Sequence, residues 1–217
     1  MTQQATATPP PAEKSKGKVT LRLGHDEVWR NFPRMSDEEF DEFCLANPNL
    51  RIEQDPHGNI LIMPPASYDA GNNEMEAGAV LVFWNRRTKL GKVFSASTMF
   101  KLPDGSKRMP AAAWISLEKH QRLTAQERKS FVRIVPDFVI EVRSPTDRLK
   151  VLQGKMRSVW IANEVQLAWL IDPEKRQAWI YRADGSDTHI VDFLQVLSGE
   201  SVLPGFELDL RVFTAYL

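Results

Sequence analysis

Cysteine is almost absent from this chain of 217 residues, which contains Cys44 alone. A single cysteine excludes a disulfide framework and any zinc or iron–sulfur site held by several cysteines. No apolar run approaches the roughly 18 residues that a membrane-spanning helix needs. Residues 1–18 also lack an apolar stretch like that of a signal peptide. These absences predict a soluble protein of the reducing cytoplasm.

An excess of charge of either sign is also lacking, because 28 basic residues balance 28 acidic ones. This balance excludes a polybasic protein that holds nucleic acid by bulk charge. The distribution is uneven, however: acids crowd residues 37–42, whereas bases recur through residues 86–108 and 143–157. Any contact with nucleic acid is therefore expected to be local, although solvated surface lysines would give the same pattern.

Two common catalytic arrangements are missing. The glycines are scattered and form no phosphate-binding loop, and no motif pairs the histidines with a serine or with Cys44. The sequence therefore argues against a nucleotide-binding enzyme and against nucleophilic catalysis. Nothing in it calls for a small-molecule cofactor.

The chain divides into a short tail and one folded unit. Residues 1–18 are rich in Thr, Gln, Ala, Pro and Lys and have little to bury, which predicts a disordered tail. Residues 19–217 contain no second linker and no internal repeat, so we expect one domain.

Helical and strand patterns alternate along this domain. A capping box of Ser36 and Glu39 predicts a helix that Pro48 ends. Spacing and turn residues then predict the following further elements: a hairpin of residues 50–53 and 59–63, a helix over 72–87, a buried central strand over 138–142, a helix over 147–162 and a hairpin of 166–171 and 176–181. This order indicates an α/β or α+β fold with a mixed sheet.

Acidic residues at two places could carry chemistry. Glu141 ends the apolar central strand, where a buried carboxylate needs a partner or a cation, although a strand-end glutamate reaching solvent is the simpler alternative. Glu74 and Glu76 lie near the start of the helix over 72–87, where the helix dipole explains acids equally well. Lys155 falls on the side of its helix that could face the end of the central strand.

An ordered set of segments resembles the Uma-two family of predicted restriction endonucleases, which belongs to the PD-(D/E)XK nuclease superfamily. The resemblance extends from about residue 21 to residue 217. The segments that carry it are GNNEME (71–76), WNR (84–86), FSAS (94–97), LPDG (102–105), WIS (114–116), PDFVIEVRS (136–144), KM (155–156) and WLID (169–172).

This resemblance implies a restriction-endonuclease-like core with a Mg²⁺ site that hydrolyses phosphodiester bonds in DNA. Carried over by position, it makes Glu76 and Glu141 metal ligands and gives Lys155 the role of steadying the attacking water. Arg143 stands where the strand motif of the superfamily has a lysine. Arg143, Ser144 and Lys150 are then expected at the DNA.

Two positions depart from the pattern of the family. Ala111 stands where the family has the aspartate that completes the metal site, so Mg²⁺ binding is expected to be weakened. Asp137 cannot replace that aspartate, because four residues of strand separate it from Glu141 by about 13 Å. Glu164 replaces a glycine that would cap the preceding helix in a left-handed conformation.

Two functions remain open at this point. The chain is either a metal-dependent DNA endonuclease impaired by Ala111, or a catalytically inactive nuclease fold that binds DNA or acts as a dimeric interaction protein. DNA is the expected partner, a homodimer is possible and no membrane partner is expected.

Overall fold

The computed structural model describes residues 28–29 and 35–214. The predicted tail, residues 1–18, and the predicted domain start at residue 19 lie outside the described residues. The described elements, in chain order, are β1 (Val28–Trp29), α1 (Asp37–Ala46), β2 (Arg51–Gln54), β3 (Ile60–Met63), α2 (Tyr68–Thr88), β4 (Gly91–Ser95), β5 (Phe100–Lys101), β6 (Lys107–Arg108), β7 (Ala112–Ser116), α3 (Leu117–Gln121), β8 (Phe138–Val142), α4 (Leu149–Lys155), β9 (Leu167–Asp172), β10 (Gln177–Arg182), β11 (Asp187–Ile190), β12 (Val196–Ser198) and β13 (Glu207–Asp209).

The larger sheet is mixed, as the sequence predicts. Within the described residues it has six strands in the spatial order β11-β10-β9-β8-β7-β4. β8 and β9 run parallel, while the other neighbouring pairs are antiparallel. α4 and the helical turns after it form the crossover between β8 and β9, the connection that a parallel pair requires. A smaller sheet has the order β1-β3-β2-β6-β5.

Each face of the larger sheet packs against a helix. On one face, Phe138 and Ile140 of β8 join an apolar cluster with Leu81 and Trp84 of α2. On the other face, Val139 packs in a second cluster that includes Met156 of the α4 crossover. Because side chains alternate along a strand, Glu141 extends from the same face as Val139. β8 is thus buried from both sides, as its continuous apolar run predicts.

Several local predictions are confirmed. The backbone N–H of Glu39 donates to the Ser36 hydroxyl and the Glu39 carboxylate accepts from the Ser36 N–H, so the capping box exists. Both predicted hairpins are antiparallel pairs, β2 with β3 and β9 with β10. The Asp104 side chain accepts from the backbone N–H of Ser106, a turn contact rather than a catalytic one.

Two helices differ from the prediction. The predicted helix over residues 147–162 begins two residues later, at Leu149, because the Asp147 carboxylate accepts from the N–H and the hydroxyl of Ser144 instead of capping the helix. α2 is longer than predicted, and its apolar spacing in the sequence predicts a core side of Ala79, Val80, Phe83 and Trp84. The helix instead buries Ala77, Leu81 and Trp84 and leaves Phe83 65% exposed, so the expectation for Phe83 was wrong.

Among the described residues, no helix combines the length and the apolar character that a membrane crossing requires.

Candidate functional site

Glu141 lies at the end of the central strand β8 and is 7% exposed, so the alternative of a solvated strand-end glutamate was wrong. Its carboxylate oxygen Oε1 accepts from the indole Nε1 of Trp160 at 2.8 Å. The same oxygen lies 2.8 Å from the ammonium Nζ of Lys155. Two donors from one helical segment therefore hold the buried charge of Glu141.

The local helix geometry explains how Lys155 and Trp160 reach the same carboxylate. α4 ends at Lys155 and continues as a π-helical turn over Met156–Trp160. In a π-helical turn the repeating hydrogen bond joins residues five apart, and such turns often occur at functional sites. Lys155 and Trp160 are five residues apart, and the Nζ atom lies 5.6 Å from the centre of the indole ring.

A second buried carboxylate comes from the smaller sheet. Glu53 in β2 is 3% exposed, and its Oε1 lies 3.7 Å from Lys155 Nζ. Glu53 also accepts from Arg108 Nη1 at 3.0 Å and from the backbone N–H of Met109 at 2.9 Å. Glu53 was not predicted from the sequence, because Ile52 is the one apolar residue of β2 and so short a pattern does not indicate a buried acid. We call Glu53, Arg108, Glu141, Lys155 and Trp160 the Lys155 cluster.

The electrostatics keep the cluster charged. Burial opposes ionisation of Glu53, but the Lys155 ammonium and the Arg108 guanidinium outweigh burial and lower the pKa of its carboxyl. Burial likewise opposes the charge of Lys155, yet Glu141 and Glu53 raise the pKa of its amine. The Lys155 cluster thus contains two carboxylates and two cationic side chains, so its formal charges balance.

Ala111 lies beside this cluster. In the pairing of β7 with β8, Ala112 lies opposite Ile140, so Ala111 and Glu141 each lie one residue beyond this pair on the same side. Ala111 is 8% exposed and directly precedes β7. Ala113, two residues further on, packs in the same apolar cluster as Val139. A methyl group thus stands where the resemblance expects a carboxylate.

The residues present do not fit a Mg²⁺ ion. Mg²⁺ requires near-octahedral oxygen coordination and is usually bound through carboxylates. Here ammonium, guanidinium, indole and amide donors already contact Glu53 and Glu141. Among the described residues, no group of three or more His, Cys, Asp or Glu side chains could hold a metal ion.

The two acids of α2 occupy different surroundings. Glu74 is partly buried, and its pKa is raised by burial and also by the charges of Glu141 and Asp147, against the opposing effect of Arg51. Glu74 is thus the carboxylate of α2 whose ionisation is opposed by the charge of Glu141. Glu76 lies about 200° further round the helix, and its role as a metal ligand stays a prediction.

The three residues expected at the DNA have unequal freedom. Arg143 Nη1 contacts Asp172 and Glu174 at distances of 2.9–3.1 Å. Ser144 is bonded to Asp147, as described above. Lys150 is exposed on α4, five residues before Lys155. The acid of the Pro136-Asp137 pair forms an ion pair with Lys119 at 2.7 Å and accepts from the N–H of Ser116, so it stabilises the far end of the strand.

Comparison with known proteins agrees with this architecture. Residues 37–211 match the model of the Uma2 family, whose description is "Putative restriction endonuclease". The fold is similar to a crystal structure from Anabaena variabilis ATCC 29413 described as "a putative nuclease belonging to DUF820". The TM-score is 0.64 at 15% sequence identity, covering 76% of this chain and 89% of that one. No curated protein matches the chain.

Proposed function

Because the chain belongs to the Uma2 family, we propose that it is a nuclease-fold protein that binds DNA and whose metal-dependent cleavage is strongly reduced or lost. The observation that carries this proposal is the position of Ala111 beside Glu141, within reach of a cluster whose charges already cancel. Such a site has neither the third carboxylate nor the net negative charge that would attract a divalent cation.

The chemistry of the family explains why one carboxylate matters so much. A metal ion in a nuclease site helps form the attacking hydroxide and neutralises the charge that develops on phosphorus. In this chain Lys155 is a counterion for Glu141 and Glu53.

DNA binding is supported by cations near the cluster that lack an acidic partner among the described residues. Arg148 and Lys150 are exposed where α4 begins. Arg143 donates to the backbone carbonyl of Asp147 at 3.1 Å, and the Ser144–Asp147 contact closes the same turn. Arg143 and Ser144 thus hold the turn that presents Arg148 and Lys150, which suits contact with a phosphate backbone.

Cysteine chemistry has no part in the proposed function. Cys44 is a free thiol, and burial raises its pKa to about 12. A thiol of that pKa stays protonated at neutral pH and is a poor nucleophile.

Nicking of supercoiled plasmid in the presence of Mg²⁺ tests the loss of cleavage. We expect the native chain to nick at a rate that Glu141→Ala does not change. Ala111→Asp should increase nicking about 100-fold or more, since metal-assisted charge stabilisation contributes several kcal/mol. Ala111→Asn is the matched control, because it adds the same volume without the charge and should stay inactive. Robust cleavage by the native chain that Glu141→Ala abolishes would contradict the proposal.

Fluorescence anisotropy with labelled duplex DNA at several salt concentrations tests binding. The affinity should fall steeply as the salt concentration rises. Lys150→Ala should lower the affinity and should reduce the slope of log affinity against log salt concentration by about one, as expected for the loss of one phosphate contact. Lys129→Ala is the control, because Lys129 is exposed but lies outside α4. Absence of DNA retention at low salt would favour the alternative of an interaction protein.

A further inference from the structure

The side of α2 that faces away from the sheet carries large apolar side chains. Tyr68 is 93% exposed, Met75 is 70% exposed and Phe83 is 65% exposed. At about 100° per residue these three lie within about 80° of one another, opposite the buried Ala77 and Leu81. α2 is thus apolar on two opposite faces, and only one of them packs against the sheet.

The residues between them complete a regular seam. Its spacing alternates four and three residues, as in the contact line of paired helices. We call this seam the outer stripe, and its members are Tyr68, Asn72, Met75, Ala79, Val82 and Arg86, with Phe83 at its border. Ala79 lies at the midpoint, where a small side chain permits close approach of a second backbone.

Charged residues flank the outer stripe, and their order along α2 distinguishes an antiparallel second copy from a parallel one. Asp69 and Glu76 lie in the first half of α2, and Arg86, Arg87 and Lys89 lie at its end. None of these five forms an ion pair with another residue in the described ranges. The helix dipole favours this order within one helix, and the same order makes α2 complementary to an antiparallel copy of itself.

We propose that two copies of the chain pair through antiparallel α2 helices, with the two-fold axis at Ala79. Counting outward from Ala79 places Met75 opposite Phe83 of the second copy and Tyr68 opposite its Leu90, which is 42% exposed. The same counting places Asp69 opposite Lys89 of the second copy. A parallel arrangement would instead bring like charges together.

The size of the outer stripe sets the strength of the pair. The 21 residues of α2 are about 30 Å long. A helix is about 10 Å wide, so each copy contributes on the order of 300 Å². Stable complexes typically bury about 800 Å² on each partner. The dimer is therefore expected to be weak and concentration-dependent, and to form at high protein concentration.

Sedimentation velocity over a concentration series tests this pairing on the full chain. The native chain should shift from monomer to dimer, and Phe83→Glu or Met75→Glu should raise the dissociation constant at least tenfold. The matched control is Leu194→Glu, because Leu194 is 76% exposed but lies outside α2. Circular dichroism verifies that each variant is folded. A native chain that stays monomeric at high micromolar concentration, or a Phe83→Glu variant that dimerises like the native chain, would overturn the proposal.

A cysteine placed on the two-fold axis tests the geometry independently. In a Cys44→Ser background, Ala79→Cys should form an intermolecular disulfide on mild oxidation, because the axis brings Ala79 next to its own copy. Ala46→Cys, on the exposed side of α1, should not. Equal crosslinking of both variants would contradict the placement of the axis. DNA binding is a separate measurement, so a monomeric Phe83→Glu variant that still binds DNA would leave the proposed function intact.

Discussion

The ammonium of Lys155 lies 2.8 Å from the carboxylate oxygen Oε1 of Glu141. This ion pair joins the end of α4 to the end of the central strand β8, in addition to the apolar packing of Met156 against the same face of the sheet. Only 17% of the Lys155 side chain and 9% of the Glu141 side chain are exposed, and solvent therefore screens the pair weakly. Lys155, for which the family resemblance predicts a catalytic role, is in this structure a counterion of Glu141 and Glu53.

The first prediction concerns that ion pair. Lys155→Met keeps the length of the side chain but leaves Glu141 and Glu53 without their shared cation. Removing one partner of a buried pair costs about 3–5 kcal/mol, because the other charge stays buried without compensation. Urea unfolding measures the loss. Lys150→Met, on the exposed side of the same helix, should change the unfolding free energy by less than about 0.5 kcal/mol. Equal effects of the two substitutions would show that the cluster contributes little.

The second prediction concerns thermal stability with and without metal. Ala111→Asp adds a carboxylate beside Glu141, so without Mg²⁺ we expect the melting temperature to fall by about 5 °C. Saturating Mg²⁺ should restore it, because a ligand that binds only the folded state stabilises that state. Addition of Mg²⁺ should not change the melting temperature of the native chain or that of Ala111→Asn. A native chain stabilised by Mg²⁺ would refute the conclusion that its residues do not fit the ion.

The third prediction concerns acid. The pKa of Glu53 is lower in the folded chain than in the unfolded chain, chiefly because Lys155 and Arg108 outweigh the effect of burial. Its contribution to stability is therefore complete above the unfolded pKa of about 4.3 and is lost as the pH falls through the folded pKa. Glu53→Gln should flatten this acid limb of the unfolding free energy. Glu42→Gln, at an exposed position on α1, should keep the limb of the parent chain. An unchanged limb in Glu53→Gln would exclude this cause.

The fourth prediction has the opposite sign. Burial and the nearby charges of Glu141 and Asp147 raise the pKa of Glu74. The stability associated with its protonated form is present below the unfolded pKa and is lost as the pH rises through the folded pKa. Glu74→Gln should therefore stabilise the chain at neutral pH and leave its stability unchanged at strongly acid pH. Unfolding curves at the two pH values compare the variants, and a loss of stability at neutral pH would contradict the prediction.

Sequence patterns predicted the parts of the fold that depend on local chemistry. The capping box at Ser36, the two hairpins and the buried strand β8 each follow from signals within a few residues. The orientation of α2 was not predictable in the same way. Its two faces are both apolar, and only the tertiary packing decides that Trp84 is buried and Phe83 is exposed.

The candidate site divides along the same line. Glu141 and Lys155 could be inferred from one strand and the helix that follows it. Glu53 comes from a different sheet and lies 88 positions before Glu141 in the sequence. Only the fold reveals that β2 brings a second carboxylate to the same ammonium. Sequence periodicity likewise does not predict the π-helical turn that aligns Trp160 with Lys155. In a regular α-helix, residues five apart point in directions that differ by about 140°.

The last prediction concerns the end of the α4 segment, where the family pattern has a glycine. Glu164 occupies that position in the left-handed conformation, with φ of 72° and ψ of 19°. A non-glycine residue pays about 1–2 kcal/mol there, whereas glycine costs about 0.5–1 kcal/mol in chain entropy. Glu164→Gly should therefore stabilise the chain by about 0.5–1 kcal/mol in urea unfolding. Glu164→Ala retains the β-carbon and should give no such gain, since the steric conflict remains. Equal stabilisation by both substitutions would assign the effect to the lost charge. A loss of stability in Glu164→Gly would contradict the prediction, because the hydrogen bond of this turn, in which the backbone carbonyl of Glu164 accepts from the Gln166 amide at 2.8 Å, does not involve the glutamate side chain.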